Sequence, residues 1–149
     1  MTDTDPRDDA VRELESEFGD FFHRFRRVMA DSAQRLSPGM LPAAYKVFTT
    51  IVRTGEVSPS VLADRLLMDR GQLSRTLREL EGLGLITRAP DPADGRSSLL
   101  SATKEGRERL RAARAPHGSA MAASVSDWDV ADVRQLSRLL HALTNATAP

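Results

Sequence analysis

Between Ser58 and Thr103 the polar side chains are of types suited to reading a nucleic acid rather than to breaking bonds. Gln72 offers the paired donor and acceptor that match an adenine edge, Arg75 a fork for guanine or a phosphate, and Ser74 a hydroxyl for either. Arg70 and Arg78 add cations to the same stretch, and Gly71 permits a close approach to a duplex. Further on, Asp94-Gly95-Arg96 has the composition of an exposed hairpin tip, with Arg88 on the strand leading into it. If Asp94 pairs with Arg96, the gain is only ~0.2–1 kcal/mol for an exposed pair, so its use is to aim the arginine outward. Ser58 and Ser60 stand at a helix start, where free amides and hydroxyls can meet phosphates.

Bond-making chemistry finds no comparable support. The chain has no cysteine, which excludes disulfides, thiolate metal sites and thiol-based sensing or catalysis. His23, His117 and His141 lie far apart and form no ligand pair at helical spacing, so no metal site is expected. No nucleophile stands beside a matching base, no carboxylate pair has a recognisable setting, and no glycine-rich phosphate loop is present. The expectation is a protein that is not an enzyme and carries no cofactor.

The elements that must position the polar cluster can be read from periodicity and caps. Ser37-Pro38-Gly39 marks a turn, and Pro42 opens a helix whose apolar face is Tyr45, Phe48, Ile51 and Val52, ended by Gly55. Ser58-Pro59 begins a short helix with Val61, Leu62, Leu66 and Leu67 inward, which stops around Met68. Asp69 caps the next helix, which turns Leu73, Leu77 and Leu80 to one side and the polar cluster to the other, and Gly82-Leu83-Gly84 closes it. Leu85 to Ala89 and Ser98 to Ala102 read as two short strands around a loop of Pro90, Asp91, Pro92, Asp94 and Gly95. From Thr103, a cap, a helix runs on until Pro116-His117-Gly118 interrupts it.

Both ends of the chain carry apolar seams. Val11, Leu14, Phe18, Phe21, Phe25 and Val28 recur at three and four, widened by Phe22 and Met29. Ser126 followed by Asp129 reads as a capping box, after which Val133, Leu136, Leu140 and Leu143 repeat in the same way. Two such terminal helices are expected to pack together and on a second copy, forming a dimer stalk. Phe22, Met29 and Tyr45, on or beside this seam, read as core.

A formal net charge of zero conceals a polarity along the chain. Residues 1–20 carry eight acids against Arg7 and Arg12, a net of −6 that leaves +6 for the remainder. Only Lys46 and Lys104 of the 21 basic residues are lysines, and arginine favours forked contacts and narrow minor grooves. No run approaches the roughly 18 apolar residues of a membrane span, and the acidic start is unlike an export signal, so a cytoplasmic protein without membrane contact is expected. At 149 residues the chain is one domain's worth. The fold class is mainly α with a small β-hairpin wing, a winged helix-turn-helix.

Over nearly its whole length the chain resembles the MarR family of bacterial transcriptional regulators. The resemblance rests on Leu62-Ala63-Asp64-Arg65-Leu66, Leu73-Ser74-Arg75, Leu77, Leu80-Glu81, Gly84-Leu85-Ile86, Arg88, Asp94-Gly95-Arg96-Ser97, Leu99, Ser101, Thr103 and Gly106. It implies a six-helix homodimer built as a single domain over 1–149, with dimerisation helices at 9–36 and 103–147 and a winged helix-turn-helix lobe at 40–102. It also implies double-stranded DNA as partner, wing arginines in flanking minor grooves, and repression relieved by a small aromatic molecule in a cleft between stalk and DNA-binding lobe that Phe22, Met29 and Tyr45 could line, residues that core packing explains better. Gly95 departs from the pattern, standing where many members carry a second basic wing residue, and the Pro116-His117-Gly118 break predicts a bent or two-piece fifth helix. The competing reading is a winged-helix module that binds protein without specific DNA contact. It requires an acidic or apolar surface around Arg75 and Arg96, and the sequence has the reverse there.

Overall fold

The computed structural model describes residues 5–95, 97–115 and 120–147, the last stretch without the side chain of Ala120. The chain divides into two compact units, one reaching Ala113 and the other beginning at Arg114.

The first unit opens with α1, Pro6–Leu36, a helix of 31 residues. It begins earlier than the apolar seam because Asp5 caps it, accepting from the Arg7 amide at 2.9 Å, and Pro6 fills the first turn. At the other end Ser37 donates its amide to Ala33, and Gln34 folds over the turn, bonding Met40 O and the amide of Gly39, whose φ is 84°. Only Ser32, Ala33 and Leu36 of α1 are buried. Its aromatic rings instead stack on one another, Phe18 on Phe22 and Phe21 on Phe25.

Helix α2, Pro42–Thr54, lies at the centre, with Ala44, Tyr45, Val47, Phe48, Thr50 and Ile51 buried. Gly55 ends it at φ 81°, a left-handed conformation that suits glycine. Helix α3, Pro59–Leu66, starts on Ser58, whose hydroxyl accepts from the Val61 amide at 3.4 Å. Two of its expected inward residues face out: Val61 is about half exposed and Leu67 is 93% exposed. For Leu67 the cause is backbone geometry at the joint. Leu67 takes up φ 51°, which turns the chain sharply and puts Met68 against the core in its place.

Helix α4, Arg70–Gly82, is anchored by Leu73, Leu77 and Leu80, all of them buried. Burying each contributes about 1.5–3 kcal/mol relative to exposure, enough to hold the helix by this face alone. Strands β1, Ile86–Pro90, and β2, Ser98–Ala102, pair antiparallel with Ile86 opposite Ala102 and Pro90 opposite Ser98. Val57 extends the hairpin through a bridge to Leu100, so the wing is tied to the segment before α3. Thr103 starts α5, Lys104–Arg114, by accepting from the Gly106 amide at 2.8 Å.

The second unit contains α6, Ala120–Ser124, and α7, Val130–Thr144. Seven helices therefore occur among the described residues, not six, because the helix begun at Thr103 stops at Arg114 and α6 is a separate piece. The Pro116-His117-Gly118 break itself lies outside the described residues. The expected capping role of Ser126 is also corrected. Its hydroxyl bonds Asp127, the stretch up to Trp128 is a turn, and Asp129 occupies the cap position of α7 without a side-chain bond. Val130, Leu136, Leu139, Leu140 and Leu143 of α7 are exposed. No helix among the described residues is long and apolar enough to cross a membrane.

Candidate nucleic-acid interface

With Leu73, Leu77 and Leu80 turned inward, the 3.6-residue period forces Arg70, Gly71, Gln72, Ser74, Arg75 and Arg78 onto the outer face of α4, and all six are exposed. Asp69 secures the exposed start of this helix by accepting from the Gln72 amide at 3.0 Å. A Cβ at Gly71 would sit 3.1 Å from the Asp69 carboxylate that makes the cap, a tight contact that glycine avoids. Arg78 reaches back to Ser74 at 3.4 Å, a weak bond that leaves its remaining donors facing solvent.

Ser58 and Ser60 stand together at the start of α3, their hydroxyls 3.1 Å apart. Across from them is the base of the wing. There Arg88 is held by two partners, Glu81 Oε1 at 3.0 Å from its Nε and Ser98 Oγ at 2.9 Å from its Nη1. A cleft of about 320 Å³ joins the three elements. Leu73 and Leu77 form its apolar side, and Ser60, Arg70, Ser74, Arg88, Ser97 and Ser98 supply its polar groups. The tip of the hairpin is organised by its own backbone: the Ala93 amide bonds Asp91 Oδ1 at 2.8 Å, and the Ser97 amide bonds Asp94 O at 2.8 Å. Arg96, and with it the expected pairing to Asp94, lies outside the described residues.

Two of the residues proposed for an effector cleft serve the core. Tyr45 is buried and Met29 packs against the same cluster, whereas Phe22 is exposed about 10 Å further along α1, among Phe18, Phe21 and Phe25. Among the described residues no group of three or more His, Asp or Glu side chains is placed to hold a metal ion.

Several side chains that shape this site had no local signal in the sequence. Glu81 and Arg88 are seven residues apart on different elements, so no periodicity relates them. Arg109 is the clearest case. It reaches from α5 to Leu83 O at the end of α4 and to Leu36 O at the end of α1, each at 3.0 Å. The one available clue was spacing, because Thr103, Gly106 and Arg109 recur every three residues on one face of α5.

A short helix, a tight turn, a second helix with a polar outer face and a two-stranded wing together define a winged helix-turn-helix protein. Residues 39–97 match the MarR family. The HTH-type transcriptional regulator YxaD of Bacillus subtilis is 26% identical over 121 residues, covering 81% of this chain and 85% of that one. Mb0904 of Mycobacterium bovis, also an HTH-type transcriptional regulator, is 36% identical over 66 residues. That match covers 44% of this chain and 46% of the relative, so the chain aligns with about half of the mycobacterial protein. Among solved structures, Streptococcus pneumoniae FabT in complex with DNA superposes with a TM-score of 0.74 at 18% identity, over 91% of this chain and 95% of FabT. The similarity to the MarR family thus covers residues 39–97, the helix-turn-helix and wing.

Proposed function

We propose that the protein is a sequence-specific, double-stranded DNA-binding transcriptional regulator that grips a pseudo-palindromic operator as a homodimer. The observation that carries this reading is the outer face of α4, where Gln72, Ser74 and Arg75 stand exposed over a buried leucine spine, next to Ser58, Ser60 and the wing. In this reading α4 enters the major groove with Arg70, Gly71, Gln72, Ser74, Arg75 and Arg78, the serines meet phosphates, and Arg88, Asp94 and Arg96 serve the wing at the flanking minor groove. The FabT complex supports it, being a protein of the same fold bound to DNA.

The dimer is assigned to residues 9–36 and 103–147, and the reading lobe to 40–102. Its support is the apolar surface that a single chain leaves in water: Leu14, Phe21, Phe22 and Phe25 on α1, and Leu136, Leu139, Leu140 and Leu143 on α7. A small aromatic effector that prefers a dimer with the wrong separation of reading helices would release the operator, since only differential affinity shifts such an equilibrium.

The test is selection of bound sites from random duplexes, followed by anisotropy titration at fixed salt. Gln72→Ala and Arg75→Ala are each expected to cost about 1–3 kcal/mol and to relax preference at particular bases. Arg96→Ala is expected to weaken binding while losing preference only for narrow A·T-rich flanks. Affinities equal to wild type for all three variants would refute these contacts, and recovery of only asymmetric single half-sites would refute the dimer.

A further inference from the structure

The start of α5 touches the end of the reading helix at three positions, each three residues from the next. At the first, Thr103 bonds Gly84 O through its hydroxyl at 2.7 Å and Leu85 O through its amide at 3.0 Å. At the second, Gly106 lies so close that a Cβ would be 2.4 Å from Leu85 O. At the third, Arg109 Nη1 bonds Leu83 O at 3.0 Å. The segment 83–85 is where α4 passes into β1, so the start of α5 holds the reading helix and the wing by their common root.

Arg109 alone in this row also turns to α1. Its Nη2 bonds Leu36 O, the last carbonyl of that helix, at 3.0 Å, and Arg35 answers from α1 with a bond to Ala113 O on α5 at 3.1 Å. The acceptors at Leu36 and Leu83 are carbonyls that helix termini leave without an intrahelical partner, and they carry the negative end of the helix dipole. A guanidinium suits them because its donors form a rigid fork, which fixes direction as well as distance. Half-buried, the group is shielded from competing water on part of its surface. It thus clamps the end of α1 to the end of α4 in one defined geometry.

We propose that Arg109 is a positioning residue for operator recognition, setting the angle of α4 on α1 and so the half-site spacing that the dimer accepts. The inference rests on the DNA-binding, dimeric reading above. Two reading helices meet successive turns of one duplex only if each is held rigidly on its own dimerisation helix, and a looser clamp lets them tolerate wrong spacings.

The experiment uses the full chain and a set of duplexes in which two selected half-sites are moved apart or together by single base pairs around the preferred separation. The readout is the ratio of Kd at the displaced spacing to Kd at the preferred one, with melting temperature and dimer mass recorded beside it. Arg109→Gln is expected to reduce that ratio roughly three- to thirtyfold, the size of coupling that such networks carry. Arg109→Lys keeps the charge as a single point and is expected to recover part of the loss, and Arg111→Gln on the exposed face is expected to recover wild-type behaviour. Where Arg109→Gln does not fold, Arg109→Lys gives the reading, with a smaller loss in the same direction. A folded Arg109 variant with the wild-type ratio overturns the inference, as does a uniform loss of affinity at every spacing, which marks a purely structural role. Wild-type protein that binds no duplex overturns the parent reading instead, and is distinguished by the absence of any binding to compare.

Discussion

Gly106→Ala, in the first turn of α5, and Gly19→Ala, in the middle of α1, are the same chemical change, and the structure assigns them opposite signs. In an open helix the added methyl stabilises by roughly 0.8–1 kcal/mol, through a smaller backbone entropy loss on folding. Gly19 is exposed on α1 with nothing within 4 Å of a built Cβ, so it should realise that gain. At Gly106 the Cβ would stand 2.4 Å from Leu85 O and 3.0 Å from its C and Cα, all of them backbone atoms. Ordinary contact requires a retreat of about 1 Å. Leu85 is fully buried and its carbonyl already accepts the Thr103 amide at 3.0 Å, so the retreat strains that bond or the packing around it. Overpacking of this kind costs about 1–3 kcal/mol net, which in a domain of this size lowers the melting temperature by roughly 2–12 °C. Urea and thermal melts of the three proteins at one fixed concentration measure it, since subunit association makes the midpoint concentration-dependent. A Gly106→Ala protein as stable as Gly19→Ala, or more stable than wild type, would refute the close approach of α5 to Leu85 and weaken the clamp built on it.

Three further outcomes are expected. Leu67→Gly should raise the melting temperature, because a leucine at φ 51° pays about 1–2 kcal/mol in backbone strain and its 93% exposed side chain forfeits little burial; an unchanged or lower value would contradict that backbone conformation. Asp69→Ala should destabilise by about 0.5–2 kcal/mol through loss of the cap on the Gln72 amide, visible as a lower denaturant midpoint, and no change would show the cap to be idle. On the DNA-binding reading, Arg88→Ala should weaken binding and lower the slope of log K against log salt by about 1 per subunit; an unchanged slope would remove Arg88 from the wing's DNA contacts.

The local signals read well where the determinant was itself local. Pro42, Ser58-Pro59 and Asp69 mark helix starts because each supplies a missing partner or a preset angle within one turn of itself, and the structure places α2, α3 and α4 at those points. The spacing of Leu73, Leu77 and Leu80 settled which face of α4 would be wet, and so which of its side chains stand exposed. The misreadings share a cause. Leu67 looked like one more inward leucine, and Ser126 like the opening of a capping box, because periodicity and short motifs assume that the chain continues in the same conformation. At Leu67 the backbone turns left-handed, and at Ser126 a turn intervenes before α7 begins.

Composition and periodicity were enough to specify a helical chain with a hairpin wing and a polar helix face, since caps, turns and amphipathic spacing act over a few residues. Three-dimensional packing alone decided that Glu81 steadies Arg88 and that Arg109 joins the ends of α1 and α4. Those partners are 7, 26 and 73 positions apart, and a side chain's range in space bears no relation to distance along the chain.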